Sequence, residues 1–254
     1  MSIKKIYTGV CMILKMLFRR RIIFLALALL PVLFLTVVEM TASKQMLQFR
    51  LAALEKDLYL HQTQRAISLV FFSVTTTGFL VSFFALNLIQ SALDVNRRLV
   101  ICGYRPVELL FSKLLSLFFM ILLIAVYIGL LTHLYFPLQH VTMYMISLLL
   151  IGFVYGCYGL AVGSIIRGEL EGILFIVLLA NIDVGWLQNP TLYADAQNKM
   201  IIRYLPGYYP SQTGLIAAFT DHSVVTPVVY SMAYGAVFLL LAMVVFSNKM
   251  RIRS

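Results

Sequence analysis

Charge is what this 254-residue chain has least of. Asp, Glu, Lys and Arg make up 12% of it, against 61% hydrophobic residues, and the mean hydropathy is +0.93. Soluble domains carry about 25% charged residues. The shortage excludes an ordinary soluble globule and places the chain with integral membrane proteins. Cysteine is scarce too: Cys11, Cys102 and Cys157 alone. On the topology argued below none of the three faces an oxidising compartment, so no disulfide framework is expected. The four histidines, His61, His133, His140 and His222, are not paired with carboxylates at metal-ligand spacing, so no metal site is expected. There is no Gly-rich Lys–Ser/Thr phosphate loop, which excludes ATP binding of that kind. An intramembrane serine protease would need a histidine inside a span to partner Ser164, and there is none. No cleavable signal is expected, because the first apolar run is too long and no small-residue cleavage site follows it. Catalytic, cofactor-binding and metal-ligating residues are therefore all assigned as none, and an enzyme is not expected.

What the chain has in abundance is apolar runs. About 20 such residues cross roughly 30 Å of hydrocarbon, and six runs are long enough: 22–40, 66–89, 114–134, 141–166, 170–186 and 227–246. The expected fold is all-α, a single polytopic transmembrane domain over 1–254. With both termini taken as cytoplasmic, fourteen of the twenty basic residues fall inside and six outside, namely Lys44, Arg50, Lys56, Arg65, Lys199 and Arg203. That asymmetry follows the positive-inside rule. The net charge of +10 is thus a topology signal and not a nucleic-acid footprint.

Residues 1–21 read as an amphipathic helix in the cytoplasmic interface. Ile3, Ile6, Tyr7, Val10, Ile13, Leu14, Leu17 and Phe18 share one arc, with Lys4, Lys5, Lys15 and Arg19 on the other. Pro31 should kink the first span, which ends near Glu39. The outer stretch 41–65 carries Leu47, Leu51, Leu54 and Leu58, a spacing that predicts a short surface helix. The second span is unusually polar. Its hydroxyls can bond their own helix carbonyls in ordinary packing. The alternative is a pathway, with Thr76, Thr77 and Asn87 on the side facing it. In the fourth span Gly152, Gly156, Gly159 and Gly163 fall on one face, allowing close approach of another helix, of the same subunit before that of a second one. The fifth span is short, follows the turn at Arg167, and ends with Asn181, Asp183 and an interfacial Trp186. Asp183 faces either a cavity or partner, or the interface. The candidate pathway residues are Thr76, Thr77, Asn181 and Asp183. The outer segment 187–226 contains Pro206–Gly207 and Pro210. Ser211 is expected to cap a helix over 212–219, too short to span and so re-entrant.

The stretch 90–113 organises the rest. It interrupts two apolar runs with Asp94, Arg97, Arg98, Arg105, Glu108 and Lys113, threaded with Leu99, Val100 and Ile101. So many apolar residues are out of place in a plain loop and suit an amphipathic helix on a membrane face. A break near Gly103 and a restart at Pro106, which the first helical turn tolerates, complete it.

This pattern resembles the permease subunits of type-2 ABC exporters. The resemblance covers nearly the whole chain and rests on Asp94, Arg97–Arg98, the run 99–103, Pro106 and Lys113, then on Leu205–Pro206 before the re-entrant helix. It implies a cytoplasmic coupling helix between spans two and three, with Asp94, Arg97, Arg98, Leu99, Val100, Ile101, Gly103, Arg105, Pro106 and Glu108 as coupling residues. It implies cytoplasmic ATPase subunits that hold ATP and Mg, and a second permease subunit, in the inner (cytoplasmic) membrane and in contact with its lipids. The substrate would be hydrophobic or amphipathic: a drug, peptide, lipid or lipid-linked glycan. Asp94, where the family often has Glu, and Cys102–Gly103–Tyr104, where it has a more regular leucine run, depart from the pattern. The competing class is a non-transporting membrane protein such as a lipid-modifying enzyme or assembly factor.

Overall fold

The computed structural model describes residues 3–19, 21–51, 58–90, 98–166 and 168–251. The expected residues Leu54, Asp94, Arg97 and Arg167 lie outside them. Helix α1 (Ile3–Arg19) is amphipathic as its spacing predicts. Ile6, Val10, Ile13, Leu14 and Leu17 turn inward, while Lys4, Lys15 and Arg19 are exposed, as are Tyr7 and Phe18. Helix α2 (Arg21–Thr41) follows with Pro31 inside it.

The stretch after α2 corrects the sequence expectation. Strands β1 (Met46–Leu51) and β2 (Leu58–Thr63) pair antiparallel, with Phe49 opposite Leu60 and Leu51 opposite Leu58. The four-residue leucine spacing suggested a surface helix, but a two-residue alternation wins. Phe49 and Leu51 are buried on one face while Met46 and Gln48 face out, as a half-buried strand requires. Phe49 packs edge-on against Phe219, 5.8 Å between ring centroids.

Helix α3 (Gln64–Gln90) leads to a single helical turn over residues 98–101. Then come α4 (Pro106–Tyr135), α5 (Val141–Ile165) and α6 (Glu169–Ala180), which runs on as a π-helical segment, Asn181–Leu187. The short helices α7 (Pro190–Asp195), α8 (Lys199–Arg203) and α9 (Tyr208–Phe219) precede α10 (Val225–Arg251). Among the described residues five helices are long and apolar enough to cross a membrane: α3, α4, α5, Glu169–Leu187 and α10. The apolar part of α2, Leu27–Thr41, is shorter. This is a nearly all-α, multi-pass membrane protein.

Helix α5 is the hub. It is apolar on every side and mostly buried, as an all-round apolar helix should be. The four glycines turn towards α3 and α4 of the same chain. A Cβ on Gly159 would lie 2.4 Å from the Ser82 carbonyl oxygen, and one on Gly152 would lie 2.7 Å from Ile121. Outward-facing Leu170, Leu174 and Leu178 on α6, and Val229, Val237 and Leu240 on α10, are exposed. In a membrane, lipid or another protein chain takes the place of water there.

Helix α9 is buried from Pro210 to Phe219. At twelve residues it is about 18 Å long, short of the roughly 30 Å needed to span. Ser211 does not cap it. The helix starts earlier, with Gly207 in the cap position, and the Ser211 amide donates to the Gly207 carbonyl at 3.1 Å. The Ala217 and Ala218 carbonyls, left over at the helix end, accept from the His140 and Gln139 amides at 3.1 and 3.3 Å. Helix carbonyls buried at a terminus need such partners.

Candidate functional site

At one end of the bundle the turn 98–105 sits between α3 and α4. Its left-handed residue is Gly103, φ +87°, a conformation costly for a side chain. Leu99, Val100 and Tyr104 pack against the main apolar core. Ile101 does not: it is 83% exposed, flanked by exposed Arg98 and Arg105. Of the three apolar residues expected to anchor a partner, only Ile101 is free to do so. Arg105 is the N-cap residue of α4, and the Glu108 carboxylate reaches back to its amide at 3.2 Å. Pro106 occupies the first helical turn, as its sequence position predicts.

Three basic side chains brace this end. The Lys5 ammonium donates to the Gly103 carbonyl at 2.9 Å and lies 5.0 Å from the Tyr104 ring centroid. Lys113 is buried and donates to the Leu88 carbonyl in the last turn of α3. Lys249 does the same for α5, donating to Ser164 O at 2.9 Å. A cation on the terminal carbonyls complements the helix dipole and satisfies groups that have no partner within the helix. The Gln90 amide completes the set, donating to the Gly168 carbonyl at 3.1 Å.

The second cluster lies near mid-bundle around Asp183. The residue is 4% exposed, and its carboxylate accepts three hydrogen bonds: from the Tyr155 hydroxyl at 2.5 Å, Gln188 Nε2 at 2.8 Å and the Gly207 amide at 2.8 Å. A buried carboxylate without such donors would cost several kcal/mol. The π-helical segment creates the geometry. Gln188 follows Asp183 by five residues, and its amide returns to the Asp183 carbonyl at 3.1 Å. The wider turn leaves the Val184 carbonyl to accept from Thr75 of α3 at 3.1 Å. Gly207 approaches so closely that a Cβ there would lie 2.9 Å from the Asp183 carboxylate. One side chain thus ties together α5, the π-helical segment and the start of α9.

The four candidate pathway residues divide. Thr77 is buried and donates to its own helix at Ser73 O, 2.8 Å away. Asp183 is enclosed as described. Thr76 and Asn181 share a groove of about 410 Å³ between α2, α3 and the π-helical segment, with Phe34, Phe72 and Phe79 in its walls. Trp186 is 60% exposed, as an interfacial aromatic would be. Tyr155 and Gln188 went unrecognised in the sequence, where Lys5 stood out only as part of the charged arc of α1 and Gly207 only as a break before α9. The five-residue offset from Asp183 to Gln188 was the one local signal available. The other partners are 28 and 24 residues away. Among the described residues no group of three or more His, Cys, Asp or Glu could hold a metal ion. No protein-family model matches the chain, and no curated protein matches it.

Proposed function

We propose that this chain is the membrane-spanning subunit of an ATP-driven exporter of the type-2 ABC class. It would work as one of a pair, with ATP and Mg held by separate cytoplasmic cassette subunits. One observation carries the reading. A charged turn between two long apolar helices is braced from behind and exposed in front. Leu99, Val100 and Tyr104 seat it on the core, and Lys5 pins Gly103. Arg98, Ile101 and Arg105 are left for a partner. A push on such a knob passes into α4 through its capped start, and into α3 through Lys113. A lipid-modifying enzyme or assembly factor has no need of this device.

On this reading α2 is a sixth crossing, both termini are cytoplasmic, and α9 is re-entrant from the outer side of a bacterial-type inner membrane. The substrate path runs along the Thr76–Asn181 groove, at the contact between two copies. Its walls are apolar with hydroxyl and amide groups, which suits an uncharged or amphipathic substrate. The test is Ile101→Asp in the chain co-expressed with its cassette ATPase. A carboxylate forced into an apolar contact costs several kcal/mol, so the ATPase should no longer co-purify while the permease keeps its own fold. Val100→Asp is a poorer test, because Val100 is half-buried against the chain's own core. Undiminished co-purification and transport with Ile101→Asp would overturn the proposal.

A further inference from the structure

Helix α1 roofs a groove that the exporter reading does not use. The groove runs between α4 and α5, holds about 290 Å³, and every residue lining it is apolar. Ile6 of α1 lies over it, Phe111, Leu115 and Phe118 form one wall, and Phe153 and Cys157 the other. Leu115 and Phe118 are 53% and 55% exposed, so the groove opens sideways. Its α4 wall runs from Phe111 to Ile121, or about 15 Å at 1.5 Å per residue. That is half of a hydrocarbon core of roughly 30 Å, the depth of one leaflet. Exposed cations stand on the two helices at this end: Lys4 on the arc of α1 that faces away from Ile6 and the groove, and Arg105 at the start of α4, in the turn that Lys5 contacts.

We propose that this groove seats one acyl chain of an anionic phospholipid, with its phosphate held by Lys4 and Arg105. An apolar slot one leaflet deep, with exposed cations on the two helices above its α1 end, matches a single tail beneath a negative headgroup. Its occupancy supports α1 from below at Ile6. One residue away, Lys5 holds the Gly103 carbonyl and the Tyr104 ring. The seated lipid therefore steadies the turn 98–105. What that steadiness does for coupling rests on the exporter reading; the lipid seat does not.

The test uses the full chain purified in detergent, with dioleoyl phosphatidylglycerol or dioleoyl phosphatidylcholine added and retained lipid counted by native mass spectrometry. Two cations at an anionic headgroup should favour phosphatidylglycerol by about fivefold or more. Leu115→Trp, which fills the slot from its open side, should remove most of the retained lipid of either kind. If it lowers helicity, Phe118→Trp serves instead. Lys4→Gln with Arg105→Gln should bring phosphatidylglycerol down to the phosphatidylcholine level. Hydrogen exchange at residues 98–105 should slow when phosphatidylglycerol is added, and Lys5→Gln should abolish that slowing while retention persists. Equal retention of the two lipids by the unaltered chain, or full retention by the slot-filled variant, would overturn the seat. Exchange at 98–105 indifferent to lipid would overturn its effect on the turn. No arm involves an ATPase, so failure of the exporter reading would leave these results standing.

Discussion

Asp183 shows how a single side chain can hold an irregular segment inside a bundle. Its carboxylate satisfies a tyrosine hydroxyl, a glutamine amide and a backbone amide that otherwise face apolar surroundings. Asp183→Ala strands all three donors. Leaving one buried donor unpaired costs about 1–3 kcal/mol, so this variant should unfold at markedly lower temperature in detergent and show faster hydrogen exchange at Gly207 and Tyr208. Tyr155→Phe removes one donor and leaves the carboxylate two, so its loss should fall at or below the lower end of that range. An Asp183→Ala chain as stable as the unaltered protein would show that the network contributes nothing. Lys113 plays a comparable part at the end of the bundle that carries the turn 98–105. Lys113→Met keeps much of the side-chain volume but leaves the last turn of α3 without its cation, so exchange at residues 86–90 should rise while the rest of α3 is unaffected. Unchanged exchange there would mean that water caps the helix equally well.

At the scale of elements, the close packing of α5 on α3 depends on glycine. The Ser82 carbonyl sits where a Gly159 side chain would go, and backbone cannot rotate away as a side chain can. Gly159→Leu must force the helices apart, and overpacking of this kind costs about 1–3 kcal/mol or more. The variant should express poorly or melt early, whereas a leucine at outward-facing Val237 of α10 should be tolerated. Equal stability of the two would refute the packing account.

The same scale separates what the sequence made legible from what it did not. Helix positions were legible because long apolar runs admit few alternatives. The restart at Pro106 was legible from proline chemistry, and the common face of four glycines from their offsets. The hairpin was misread because leucines at 47 and 51 satisfy a helical spacing as readily as an alternating one. Phe49, which decides between them, is buried only through Phe219, far along the chain. The start of α9 was misplaced because Ser211 is a good cap residue by chemistry, while Gly207 is fixed there by Asp183, a long-range contact that no local pattern announces. For the same reason Asp183 was legible as an unusual intramembrane acid, and its three partners were not.

At the scale of the whole molecule, the account requires the turn 98–105 and the hairpin to lie on opposite sides of the membrane. Native Cys102 is exposed, Cys157 is buried and Cys11 is half-buried, so the chain carries its own reporter on one side. A membrane-impermeant maleimide added to intact cells should label a cysteine placed at Gln48 or Asn198 and leave Cys102 unlabelled until the membrane is opened. Labelling of Cys102 from outside would invert the topology and remove the turn from any cytoplasmic partner.

Cys102 also allows the central claim to be tested at the contact itself. It adjoins Ile101, the residue argued to meet the cassette subunit. The measurement is a short thiol-to-amine crosslink from Cys102 in native membranes, followed by mass spectrometry of the adduct. The account predicts a crosslink to a chain bearing a Gly-rich Lys–Ser/Thr phosphate loop, lost in Cys102→Ser and sharply reduced in Ile101→Asp. If Cys102 reacts freely with soluble maleimide in assembled membranes and forms no adduct with any ATPase chain, the turn is not a coupling element and the exporter reading fails.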